Sequence, residues 1–262
     1  MKFNGNSFIY NGVPSELYDL RIITLDTSGK SDDESGIEST LSVDALYRKS
    51  RVNYYGRSHN IQLSFPMTVG SFTPISMDDL SLIKGWLLGS STFVPLQIVQ
   101  DELSGIYYNA IITKATDTHV GNFAYAMNLT VVCDAPWAWE SEKTLSKNYV
   151  LDTTNDTFNF FNASVDQDYL YPTIQFTLNG IGTTFAITNN TDNGRVFSFS
   201  GLLANEIITA NCYDKILTSS TGLYRLSTCN KQWFRLLQGD NSISILGSIS
   251  NFQMIYQFAK GG

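Results

Sequence analysis

NLTVVCDAPWAWES, residues 128–141, is an alternating apolar run that ends abruptly at a proline. Extended backwards, the alternation places Tyr125, Met127, Leu129, Val131 and Cys133 two residues apart, on one face of a strand. Asp134 and Pro136 end it, because proline has no N–H to give to a ladder. Trp137 and Trp139 follow at once and read as packing at a domain edge, since aromatic side chains mostly fill cores and interfaces. Residues 140–148 are polar and charged, and a second series of short apolar segments starts at Tyr149. The expected division is therefore 1–140 and 141–262, each long enough for a core of its own.

Composition agrees with a strand-rich chain. Charged residues make up 16%, against roughly a quarter in an ordinary soluble domain, and aromatics reach 13%. The net charge is −7 and the 17 basic residues are scattered apart from Arg48, Lys49 and Arg51, so no track of Lys and Arg exists to neutralise phosphates. Nucleic acid is not an expected partner. The opening MKFNGNSF has no apolar signal core and no run approaches the ~18 apolar residues of a membrane helix, so the chain is expected to be soluble and not exported by the usual route. Cys133, Cys212 and Cys229 are odd in number and lack CxxC spacing, which predicts buried thiols rather than disulfides or a zinc site.

Working outward on the N-terminal side, Asn11-Gly12 is a turn between the apolar segment 8–10 and a second segment over 18–25. Residues 27–40, TSGKSDDESGIEST, read as a solvated mobile loop; Asp32, Asp33 and Glu34 lack the Gly-punctuated spacing of a calcium loop. Residues 51–60, followed by the alternating 61–67, suggest a long hairpin arm. One helix is predicted between Ser76 and Leu88: Ser76 caps it, Asp79 lies in its first turn, Leu80, Ile83 and Leu87 form its apolar stripe, and Gly89 stops it. Segments 93–99, 105–114 and 122–133 complete a set of antiparallel strands. Beyond residue 141 the runs 158–161, 173–178, 184–188, 195–200, 206–211, 214–217, 233–236, 242–246 and 252–258, with turns at 189–194 and 239–241, predict an antiparallel β-sandwich.

Catalytic signatures are missing. His59 and His119 are the only histidines, neither lies in a motif, and no GxSxG, HExxH, P-loop or dinucleotide fingerprint occurs. Asp166 with Asp168, or Glu206, could be nominated as a glycosidase pair, but strand-end solvation accounts for all three. A carbohydrate module contacting host cell-wall glycans is the alternative of a different class, with Trp233, Arg235, Asp240 and Asn241 as the candidate contacts. The competing reading places Trp233 and Leu236 in the sandwich core and makes 239–241 a hairpin turn. No cofactor, metal site or catalytic residue is expected.

Several of these segments together resemble the distal tail protein family of long-tailed bacteriophages (siphoviruses) infecting Gram-positive hosts. The resemblance is carried by Phe8-x-Tyr10-Asn11-Gly12, Tyr18-Asp19-Leu20, Lys84-Gly85-Trp86-Leu87 and Val131-x-Cys133-Asp134-Ala135-Pro136-Trp137 in the first half. Tyr171-Pro172-x-Ile174 and Leu236-Leu237-x-Gly239-Asp240-Asn241-x-Ile243 carry it in the second. It implies a mainly β chain: an N-terminal β-sandwich-like ring domain with one α-helix and a long hairpin arm, then a galectin-like β-sandwich. It also implies a hexameric ring, the baseplate hub at the distal end of the tail, with the arm at 51–67 reaching a neighbour. The implied partners are the tail tube protein, the tail-associated spike or fibre protein, and receptor-binding proteins held by the outer domains. In some members the last strand returns to the first domain, so 252–258 belongs either to the ring or to the sandwich. The galectin sugar signature is not recognisable here, and no strong sugar binding by the chain alone is expected.

Overall fold

The computed structural model describes residues 6–23, 39–45, 52–59, 62–150, 153–166 and 168–261. Among the described residues the chain is mainly β with one α-helix, and it forms two compact units, 1–140 with 260–262 and 141–259.

In the first unit the strand ending at Cys133 is central. Phe123–Cys133 lies between Ile106–Val120 and Ser64–Ile75, all antiparallel. The sheet continues through Val94–Ile98 and Phe8–Tyr10 to Val13–Pro14 on one side and ends at Arg21–Ile22 on the other. Met127, Leu129, Val131 and Cys133 are buried as the alternation requires, whereas Tyr125 is half-buried between buried Ala124 and Ala126. The face changes because residues 71–74 are inserted in the partner strand between the paired positions Gly70 and Ile75. After Cys133 the Asp134 N–H turns to the Asn109 carbonyl at 3.0 Å, and Ala138–Glu140 pairs with the start of the Ile106–Val120 strand, Trp139 opposite Tyr107.

The helix is Met77–Leu88. Ser76 Oγ accepts from the Asp79 N–H at 3.1 Å, and Leu80, Ile83 and Leu87 are buried. Gly89 ends the helix without entering the left-handed region, φ being −78°. Trp86 anchors the helix: its indole N–H donates to the Tyr10 carbonyl at 3.1 Å and its ring stacks on Phe8 and Tyr18. The Asn-Gly turn is formed with φ of 51° and 75° at Asn11 and Gly12. The segment after it is not one strand, however. Val13–Pro14 and Arg21–Ile22 pair at opposite edges of the sheet and Ser15–Tyr18 between them is a 3-10 turn, because the buried Ser15 hydroxyl bonds both the Phe8 N–H and the Leu20 carbonyl and ties the chain into a tight loop.

The arm also differs from its sequence reading. Val52–His59 pairs with the preceding Ser39–Ala45, and Ser64–Ile75 belongs to the main sheet. The acidic cluster at 32–34 lies outside the described residues.

The second unit holds two antiparallel sheets, as the short alternating runs predict. One runs Lys143–Asn148, Ile249–Tyr256, Thr173–Leu178, Ile207–Asn211, Ile216–Ser219, and the other Thr154–Asn162, Gly239–Gly247, Phe185–Asn189, Arg195–Phe199. Their inner faces share a Phe-rich core in which Phe176 and Phe185 stack at 3.8 Å between centroids. Lys143–Asn148, read from sequence as a polar connection, is an edge strand with no fully buried residue. Residues 252–256 lie in this unit, paired with both Lys143–Asn148 and Thr173–Leu178, and the chain then returns to the first unit through Ala259–Lys260 beside Ala138–Glu140.

Candidate functional site

The residues nominated from sequence for sugar contact are placed unevenly. Trp233 is 8% exposed, and its ring packs on Phe197 at 5.3 Å, so it offers no open platform. Asn241 is fully buried: its side chain donates to the carbonyls of Leu237 and Gly239 and accepts from Leu237 N–H and from Asn189. It is a clasp for the irregular 233–238 segment, satisfying backbone groups that no ladder reaches. Residues 239–241 are not a hairpin turn but the start of a strand, with Asn241 opposite Phe160. Asp240 is exposed. Arg235 is bidentate to Asp192 at 2.7 and 3.1 Å, and these hydrogen bonds hold the Asp192 carboxyl below its usual range.

The carboxylates nominated as a catalytic pair are structural. Glu206 is 1% exposed and accepts from Arg225 Nε and Nη2 at 2.7 and 2.6 Å, from Ser219 Oγ at 2.5 Å and from the Leu203 N–H at 2.8 Å. Burial pushes its pKa up, but these hydrogen bonds outweigh burial and hold it at about 2. Asp166 accepts from the Asp168 N–H, a local turn contact. Among the described residues no three His, Cys, Asp or Glu side chains are grouped as a metal would need. The three cysteines are free and buried. A shallow groove beside Lys147 and Asp156 carries charges already paired at 2.7 Å, with Tyr149 donating to the same carboxylate.

What the first unit offers instead is apolar surface at one end of its sheet. Val120 and Phe123 face each other across the tip of the hairpin and are 67% and 60% exposed. Ala124 pairs with Ile75, so the inserted residues 71–74 and the start of the helix lie at the same end, bringing Phe72 and Met77 at 84% and 79% exposure. Phe72 is held out by its neighbours: Ser71 Oγ donates to Asp19 and accepts from the Thr73 N–H. Sequence reading missed this surface because Tyr125 continues the apolar alternation, and the change of face there appears only with the partner strand. Among the described residues no helix is long and apolar enough to cross a membrane. Exposed apolar clusters of this kind mark contacts with other proteins.

Comparison with known proteins places this architecture. A family model described as a phage tail protein N-terminal domain matches residues 3–135, and one described as a phage tail C-terminal domain matches residues 137–256. No curated protein sequence matches the chain. Among solved structures, the crystal structure of SPP1 Dit (gp 19.1), described as a paradigm of the hub adsorption apparatus in phages infecting Gram-positive bacteria, superposes with a TM-score of 0.71 at 14% identity, over 97% of this chain and 99% of that one. The chain therefore belongs to a family of phage tail proteins, and it has the fold of the SPP1 distal tail (Dit) protein.

Proposed function

We propose that six copies of the chain close into a ring at the distal end of a phage tail, the hub joining the tail tube to the host-adsorption apparatus. The observation that carries this reading is the likeness to the SPP1 hub protein over 97% of the chain. The exposed Phe72, Met77, Val120 and Phe123 support it, since a ring protein needs surface that only a neighbour or a tail partner covers. In this reading residues 1–140 build the ring and 141–262 form an outer galectin-like domain. One ring face meets the tail tube protein, the other the tail-associated spike or fibre protein, and the outer domains hold receptor-binding proteins. The protein is then assembled in the host cytoplasm and resides in the virion at the tail tip.

Light scattering over a concentration series, with negative-stain imaging of the main species, tests the ring. The expected result is a particle of about 175 kDa, six times 29.2 kDa, with a central opening. A single 29.2 kDa species at every concentration, unchanged by added tail tube protein, would refute it.

A further inference from the structure

A second surface lies within residues 141–259, where three tyrosines from two segments form a row. Tyr171 is centred 6.4 Å from Tyr169 and 6.5 Å from Tyr213, each pair meeting edge to face at 72° and 68°. Tyr169 is 41% and Tyr213 74% exposed, and Tyr171 is half-buried.

The Tyr169 ring and the Tyr213 backbone are fixed in advance. The Arg235 guanidinium lies 3.7 Å from the centre of the Tyr169 ring and is itself locked by its fork to Asp192. Tyr213 stands at the tip of the turn joining Ile207–Asn211 to Ile216–Ser219, where the Asn211 carboxamide accepts from the N–H groups of Tyr213 and Asp214 and donates to the Asp214 carboxylate. The Tyr169 ring, and the Tyr213 backbone, thus lose little freedom on binding.

We propose that this tyrosine row binds a β-linked, gluco-configured glycan, one pyranose face lying on an exposed ring and its hydroxyls meeting the phenol groups and the polar turn. Sugars of that configuration carry axial C–H groups on both faces, which suits an aromatic surface, and their equatorial hydroxyls need donors and acceptors at its edge. The size of the surface favours this occupant over a protein. A stable protein interface takes about 800 Å² from each partner around an apolar centre, whereas this row is three rings edged by Asn211 and Asp214. Arg235 and Asp192 already satisfy each other, so the affinity expected for one site is weak, about millimolar, and it gains only from several copies acting together. The site is not the one suggested by sequence: Arg235 serves it by holding Tyr169, while Trp233 stays in the core.

The test is saturation-transfer NMR on the full chain with two probes, cellotriose and the trimer of β-1,4-linked N-acetylglucosamine. The expected result is transfer to the ring C–H protons of at least one probe. It should weaken about tenfold or more in Tyr213→Ala and in Tyr169→Ala, and persist in Tyr224→Ala, which removes an equally exposed tyrosine elsewhere. No transfer from either probe at about 10 mM would overturn the proposal, and so would transfer that survives both substitutions in the row. Loss of a co-assembling tail protein in Tyr213→Ala, with no transfer to sugar, would assign the surface to a protein and overturn it equally. The row lies within one chain, so the assay reads it in a monomer or a ring alike.

Discussion

Neutralising Glu206 should unfasten the second unit. The carboxylate is fully buried, and its bonds to Arg225, Ser219 and Leu203 join three segments that no single ladder connects. Its pKa is held at about 2 against an ordinary 4.5, and at about 1.4 kcal/mol per unit this corresponds to roughly 3 kcal/mol of stability. Because the folded value is the lower one, the whole contribution is present above about pH 4.5 and is lost as pH falls towards 2. Glu206→Gln keeps the shape but leaves the Arg225 charge buried against a neutral amide, so a loss of about 3–5 kcal/mol at pH 7 is expected. Urea unfolding read peptide by peptide through hydrogen exchange isolates this unit from the other. The gap between wild type and Glu206→Gln should shrink by about 2 kcal/mol at pH 3, where most of the native carboxylate's advantage has gone. The paired replacement Glu206→Leu with Arg225→Met should cost less than Glu206→Leu alone, since it leaves no unpaired charge. A Glu206→Gln variant within about 1 kcal/mol of wild type at pH 7, or a double variant as costly as the sum of its parts, would refute this account.

Four other outcomes are expected. Phe123→Asp with Phe72→Asp should shift light scattering from the ring to the monomer while the circular dichroism of the folded chain is kept, because both side chains are largely solvated in the single chain. Ser76→Ala should cost about 1 kcal/mol in thermal unfolding through loss of the helix cap, whereas Gly85→Ala, on the exposed face of the same helix with open space around it, should gain about as much. Gly182→Ala should cost about 1–3 kcal/mol in urea unfolding, because its new carbon would press on the Ser248 carbonyl oxygen. Burial pushes the thiols of Cys133 and Cys212 up to about 12, so neither should react with a disulfide reagent at pH 8 until urea is added.

Features that rest on local chemistry were readable in the sequence. The Ser76 cap, the Leu80, Ile83 and Leu87 stripe, the Asn11-Gly12 turn and the stop after Cys133 each depend on residues a few places apart, and each is present. Features that depend on the partner strand were not. Val52–His59 has the composition of a strand whichever neighbour it takes, and the choice of Ser39–Ala45 over the following strand leaves no periodic mark. Lys143–Asn148 looked like a connection because an edge strand solvated along its length need not alternate apolar with polar.

Polar residues posed the hardest problem for sequence reading, and they explain why Asn241 and Glu206, nominated as surface groups, lie in the interior. Asn241 and Glu206 look like solvated groups in a list, yet both are buried, since segments 233–238 and 200–206 present backbone groups that only side chains can satisfy. Once Asn241 and Trp233 are committed to the interior and Arg235 to Asp192, the side chains left to meet a ligand are those with nothing else to hold. In this unit Tyr169, with Arg235 over its ring, and Tyr213, on a turn held by Asn211, keep exposed ring surface. Tyr213 falls between the runs 206–211 and 214–217, in a connection that sequence alone gave no role, and its exposure follows from the Asn211 side chain that turns the backbone beneath it. A binding surface here is therefore specified by the buried residues that support it rather than by the spacing of the aromatic residues themselves.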